Sequence, residues 1–467
     1  MRRYLLFLLA LLTLPSGLTV TTTHVVHAAS ASKCINPSGT NTLHGTLQGA
    51  NYTIEVPANW HGTLALYSHG YVFADQPLLN PAPDAPDRLS KTALLQQGYA
   101  LAGSSFSQNG WNLQQAFHDQ IALLDFFNQT CGTPTRTIAW GQSLGGIITA
   151  GLVQLNPGRF TAALPMCGPL AGGIGIWNQA LDAAFAFNVL LARNTLPLVH
   201  ITHPTAALLQ ASTILDAAQL TSQGRARIAL AAALTDLPGW FDPASPEPAQ
   251  SDFTAQEHNQ YLWMSLMDFA FAFEARAELE GRAGGNFSWN TNVDYSQQLG
   301  NSVDRDEVTA LYKQAGLDLS KDLHTLATTQ RIKADPAAEA YLNKYITFNG
   351  NLHIPVLTAH TTGDGLVVNQ AEQAYASVVS YQGNSGLLRQ IFVHRAGHCA
   401  FTPAETLTAF QTLISRLDNN AWGNSTDPAL LNQEAAALGP LFNTTPPAFI
   451  AFQPTIFLRP FDVRNQP

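Results

Sequence analysis

A serine framed by two glycines, Gly141-Gln142-Ser143-Leu144-Gly145, follows the apolar run Thr137-Ile138-Ala139-Trp140 and precedes a helix-compatible stretch over 146–153. A serine hydroxyl alone is a poor nucleophile. On a sharp strand-to-helix turn it stands clear of a sheet, where a histidine can take its proton. The flanking glycines let strand and helix approach without a Cβ clash. Such a serine needs a base, a carboxylate to orient the base, and donors for an oxyanion. Asp364, in Thr361-Thr362-Gly363-Asp364-Gly365, follows a strand-like run ending at Ala359. His398, in Ala396-Gly397-His398-Cys399, follows one ending at His394. Both loops come after strands and before helices, and in a doubly wound sheet such loops meet beyond the carboxyl ends of the strands.

Other residues compete for these roles. Glu372 is a second carboxylate for orienting the base, but it lies on a helix. His394 falls within a strand and is expected to pack there. His360 ends a strand close to Asp364 and is expected beside it. His69, in Ser68-His69-Gly70-Tyr71, is expected to shape a loop rather than move protons. Phe73, Trp111, Trp177 and Phe401 are candidates for lining an acyl or aromatic pocket. His200-x-x-His203 could face one metal on a helix, but Pro204 follows it and no carboxylate is suitably spaced. No C-x-x-C spacing occurs, and no phosphate-binding glycine motif follows an early strand, so no metal and no cofactor are expected.

The elements that must carry these residues read as alternating strands and helices. Strands are expected over 42–48, 52–56, 63–67, 99–103, 137–140 and 160–166. Helices are expected over 87–97, 113–128 and after Ser143. The helix over 113–128 is amphipathic: Leu113, Phe117, Ile121, Leu124 and Phe127 fall on one face. Alternation stops after residue 168. Residues 169–352 are rich in Ala, Leu and aromatics and mostly helical by pattern, clearest over 206–220 and 225–234. A stretch this long is a substructure rather than a connection. Alternation resumes with strands over 354–359 and 388–394 and helices over 369–381 and 403–417. The expected class is α/β, a mostly parallel doubly wound sheet with a large, mainly helical insertion. The tail over 419–467 holds too many apolar residues to be disordered and is expected to pack on the core as an extended segment.

Arg2 and Arg3 precede the apolar run 4–14, and small residues follow at 28–31. That pattern is expected to be a signal peptide over 1–29, too short in its apolar part for a membrane span of about 20 residues, so no stable membrane anchor is expected. The chain is then expected to be secreted, to the extracellular space or cell envelope. Only 12% of the 467 residues are charged, the net charge is −9, and no cluster of five Lys/Arg occurs, which argues against nucleic acid as a partner. The four cysteines, Cys34, Cys131, Cys167 and Cys399, suggest two disulfides in an exported chain, with three possible pairings.

The elbow around Ser143, the His69-Gly70 pair ending an early strand, Gly363-Asp364-Gly365, Gly397-His398 and the order Ser, Asp, His together resemble the α/β-hydrolase superfamily. The resemblance covers 30–168 and 353–418, and leaves 169–352 as a cap or lid. It implies Ser143 as nucleophile, His398 as general base and acid, and Asp364 as the residue holding the imidazole tautomer. It also implies the backbone N–H groups of Leu144 and Tyr71 as oxyanion donors. The implied activity is hydrolysis of carboxylic esters, small-molecule or polymeric, through an acyl-enzyme. A peptidase or amidase on the same scaffold and a catalytically silent binding protein are the alternatives. The His398-Cys399 pair is also found in tannases and fungal feruloyl esterases, where that cysteine is linked to one directly before the serine. Here Gln142 holds that position, so the match is partial. On this resemblance Cys399 is expected to join Cys167, and Cys34 to join Cys131.

Overall fold

The structure is a computed structural model that describes residues 34–462 and residue 464. The expected signal peptide lies outside the described residues. The strands are β1 (Asn41–Leu47), β2 (Ala50–Val56), β3 (Thr63–Ser68), β4 (Ala100–Ser104), β5 (Arg136–Gln142), β6 (Ala162–Met166), β7 (Val356–Gly363), β8 (Leu388–Ala396) and β9 (Phe449–Ile450). They form one sheet in the order β1-β2-β4-β3-β5-β6-β7-β8-β9. The run from β4 to β8 is parallel, whereas β1, β2 and β9 add antiparallel pairings at the edges. β3 has β4 on one side and β5 on the other. Successive crossovers therefore leave in opposite directions and open a crevice at the carboxyl ends of β3 and β5.

Helices α1 (Arg88–Gln96), α2 (Leu113–Cys131) and α3 (Leu144–Leu155) alternate with the first strands. Asp87 caps α1, accepting from the N–H groups of Leu89 and Ser90. The inner strands are buried on both faces, as the unbroken apolar runs of β3 and β5 require. α2 and α3 cover one face. α1 packs on the other with the helices that follow β8.

Between β6 and β7 lie α4 (Gly172–Leu190), α5 (Pro204–Gln219), α6 (Ser222–Ala233), α7 (Phe253–Trp263), α8 (Arg276–Ala283), α9 (Tyr295–Asn301), α10 (Arg305–Ala315), α11 (Leu319–Thr328) and α12 (Pro336–Lys344). This helical insertion has a core of its own, centred on α6, whose alanines and leucines are almost all buried. Two π-helical turns, Met264–Asp268 and Phe271–Ala275, join α7 to α8. After β7 come α13 (Gln370–Tyr381), α14 (Pro403–Asn419) and α15 (Pro428–Ala437).

The tail differs from its expected extended form. It makes α15, packed beside α14, before β9 pairs antiparallel with β8. Asp427 caps α15 and Pro428 opens it. Among the described residues no helix is long and apolar enough to cross a membrane.

Candidate active site

Ser143 sits between β5 and α3 with φ 59° and ψ −125°, a conformation that a residue with a β-carbon resists. The glycines explain how the turn is possible. A Cβ on Gly145 would stand 1.9 Å from the carbonyl oxygen of Ser68, and one on Gly141 would stand 2.5 Å from the same atom. The end of β3 thus presses against both sides of the turn and lifts the Ser143 side chain above the sheet.

β7 runs through Gly363 and β8 through Ala396, each past its expected end at Ala359 and His394. Asp364 and His398 therefore sit at the strand ends, where the backbone is held by sheet pairing. The loop carrying His398 is fixed twice more. Arg395 forms a two-pronged ion pair with Glu405, at 2.5 and 2.9 Å, and both side chains are buried. Glu405 is also part of a capping box with Thr402 at the start of α14. Cys399 is bonded to Cys167 at the end of β6, and Cys34 to Cys131 at the end of α2.

These supports bring three distant residues together. His398 Nε2 lies 2.7 Å from Ser143 Oγ, and His398 Nδ1 lies 2.8 Å from Asp364 Oδ2. Asp364 is wholly buried and accepts from the N–H of Val367 at 3.0 Å. Burial alone would raise its carboxyl, but facing His398 and His360 it is held below its ordinary value. Glu372, the rival carboxylate, faces His360 at 3.1 Å. His394 faces outward at the surface, 3.2 Å from Glu247. His69 stacks on Phe106 and meets the Gly70 carbonyl oxygen at 2.7 Å, and burial lowers its pKa. It shapes the loop at the end of β3.

A cavity of about 130 Å³ opens against Ser143. Leu144 and Tyr71 both line it, and the N–H of Leu144 opens α3, where a helix has no acceptor of its own to offer. Of the four aromatic residues expected at a pocket, Trp111 and Trp177 line the cavity and meet edge to face. Phe73 is outside the lining but touches the rings of Tyr71 and Phe271, which belong to it. Phe401 is the exception. It packs with the core group under α14, because the chain turns there into the Thr402 cap. Sequence reasoning missed Phe187, Asp268, Phe269 and Phe271, all from the insertion. Asp268, at the end of the first π-helical turn, is the only carboxylate in the lining among the described residues. Burial and the Asp364 charge keep its carboxyl well above the ordinary range. Nothing in the spacing around residue 268 signals a π-helical turn. His200 faces Asp335 at 3.7 Å on the surface, and among the described residues no three His, Cys, Asp or Glu side chains are grouped to hold a metal ion.

The chain is 30% identical over 419 residues to o-phthalyl amidase from Xanthobacter agilis, covering 83% of this chain and 89% of that protein. No family model matches it. Among solved structures it overlaps feruloyl esterase B from Aspergillus oryzae with TM-score 0.39 at 12% identity, over 82% of this chain and 81% of that one. It overlaps acylaminoacyl peptidase from Pyrococcus horikoshii with TM-score 0.38 at 10% identity, over 81% of this chain and only 42% of that one. Overlaps this loose carry no argument beside the sheet order and the distances above.

Proposed function

The chain belongs to the family of o-phthalyl amidase and has the α/β-hydrolase fold, and from that premise we propose that it is an exported serine hydrolase acting through an acyl-enzyme. The reading is carried by one observation, the unbroken line from Ser143 Oγ through His398 to Asp364 at 2.7 and 2.8 Å. Ser143 Oγ attacks a carboxyl carbon while His398 Nε2 takes its proton. The N–H groups of Leu144 and Tyr71 receive the oxyanion. The tetrahedral species collapses as His398 returns the proton to the departing alcohol or amine. Water then repeats the sequence on the acyl-enzyme and releases the acid. Asp364 keeps Nδ1 protonated and steadies the imidazolium.

The bond cleaved is an ester or an amide. The ester reading rests on Ser143 and its partners. The relative's name supports an amide as well. The cavity favours an apolar acyl group: Trp111, Trp177, Phe187, Phe269 and Phe271 stand in its wall among aliphatic side chains, and among the described residues neither Lys nor Arg lines it. The helical insertion supplies most of that wall and acts as the cap that selects the acyl group. Export is supported by the two disulfides.

The test pairs p-nitrophenyl benzoate with benzoyl p-nitroanilide, each against acetyl counterparts. The proposal expects turnover of at least one benzoyl substrate above its acetyl counterpart, and its loss in Ser143→Ala with the melting temperature unchanged. Turnover within a few-fold of wild type in Ser143→Ala means another nucleophile.

A further inference from the structure

A second buried histidine stands behind Asp364, and the mechanism above does not use it. His360, on β7, is wholly buried. Its Nε2 lies 2.8 Å from the carbonyl oxygen of Val367 and 3.5 Å from Asp364 Oδ2. Its Nδ1 lies 3.1 Å from Glu372 Oε1 on α13. A carbonyl oxygen only accepts, so Nε2 carries a hydrogen. Glu372 Oε2 accepts from Thr358 Oγ1 at 2.5 Å and from Gln390 Nε2 at 2.6 Å. The other Glu372 oxygen then needs a donor, and His360 Nδ1 is the group that faces it. With acceptors at both nitrogens, the ring satisfies them as an imidazolium.

We propose that His360 is a positively charged positioning residue, balanced on its far side by Glu372, that keeps Asp364 as the anion orienting His398. The proposal rests on the Ser143–His398–Asp364 reading. It follows from a charge order read along the buried line: Asp364 negative, His360 positive, Glu372 negative. Among the described residues every ion pair of Asp364 and Glu372 is to a histidine. The other titratable groups facing this line are Asp268 from the π-helical turn, which acts on Asp364, and Tyr375 from α13, on which Glu372 acts. Neither supplies a cation. Without His360 the anion at Asp364 would have to survive burial on His398 and the Val367 N–H alone. The raised pKa of His360, about 10 once its carboxylate partners outweigh the burial that opposes them, agrees with the hydrogen-bond inventory.

The experiment compares pH profiles of kcat/KM, on whichever p-nitrophenyl ester or p-nitroanilide is turned over, for wild type, His360→Gln and the double variant His360→Gln/Glu372→Gln. Glutamine keeps a donor and removes the charge. In the single variant both Asp364 and Glu372 then act on His398 uncompensated. The acid limb should rise by about half a pH unit or more. In the double variant it should rise by less, with KM little changed in either. Nitrogen-15 NMR of the full chain bearing Ser143→Ala should show both His360 nitrogens protonated from pH 5 to 9. A neutral His360 ring at pH 7 overturns the proposal. So does an acid limb that stays in place while kcat falls in step with the melting temperature. Failure of the underlying reading looks different: Ser143→Ala would keep its turnover while His360 remained doubly protonated.

Discussion

At Ser143 the backbone holds a left-handed φ of 59° on a residue that gains nothing locally from it. The strain makes sense because it aims Oγ at His398 Nε2, and it persists because Ser68, Gly141 and Gly145 leave the turn no other course. Asp364 meets His398, whereas Glu372 meets His360. Asp364→Asn should therefore lower kcat by about 10⁴ through the wrong imidazole tautomer. Glu372→Gln should cost far less at the pH optimum. Steady-state kinetics of the two variants decide it, and a reversal of the two effects would reassign the orienting acid. The side chains of this line were legible in the sequence, because each stands in a glycine-marked loop after an apolar run. His360 was legible as a neighbour of Asp364; its charge state was not, since that depends on which atoms face its two nitrogens.

At the scale of elements, the elbow is a contact between β3, β5 and α3 rather than a property of five residues. Gly145→Ala is the sharpest probe of that contact. Its Cβ would fall 1.9 Å from the Ser68 carbonyl oxygen, a backbone atom that cannot swing away. Moving β3 and α3 apart should cost about 1–3 kcal/mol. It should also lower kcat by more than a hundredfold, because β3 carries the Tyr71 loop as well. Thermal melting and kinetics on one preparation check both effects; an active, equally stable Gly145→Ala protein contradicts the contact. Strand and helix positions were readable here because the inner strands are short apolar runs between turn residues. The ends were less so. β7 and β8 run on through Gly363 and Ala396 because pairing between the strands, which no local pattern reveals, keeps these residues extended. α15 lies in the tail expected to run extended, where its Asp427-Pro428 start was not read as a helix start.

Across the whole molecule, the sheet carries Ser143, Asp364 and His398 at its strand ends, and the insertion supplies most of the cavity wall. Only the sheet was legible in detail. The wall depends on which faces of α4 and of the two π-helical turns point down at Ser143, and an Ala- and Leu-rich helix with apolar residues all round does not announce its face. The insertion also carries an unusual load of buried acid. Burial raises Asp236 to about 6 and Glu257 to about 7, and burial with the nearby Asp304 raises Glu307 to about 9. In the unfolded chain these groups ionise near pH 4. Below that pH both states are protonated and nothing is lost. As pH rises from about 4 through the folded values, ionisation favours the unfolded chain and stability falls. Asp364, held low, works in the opposite sense: its contribution is full above the ordinary carboxylate range and is lost as pH falls through its lowered folded value. The melting temperature should therefore be higher at pH 5.5 than at pH 8.5. Glu307→Gln should raise it by several degrees at pH 8.5 and change it little at pH 5.5. Calorimetry at the two pH values checks this, and a melting temperature that climbs toward pH 8.5 would contradict it.

The central claim is that residue 143 is the nucleophile, and the most direct measurement is intact-mass and peptide mass spectrometry after treatment with a fluorophosphonate. One phosphonyl group per chain is expected, on the peptide containing Ser143, with labelling lost in His398→Ala. A chain that stays unlabelled at neutral pH, or carries the group on a different residue, contradicts the account.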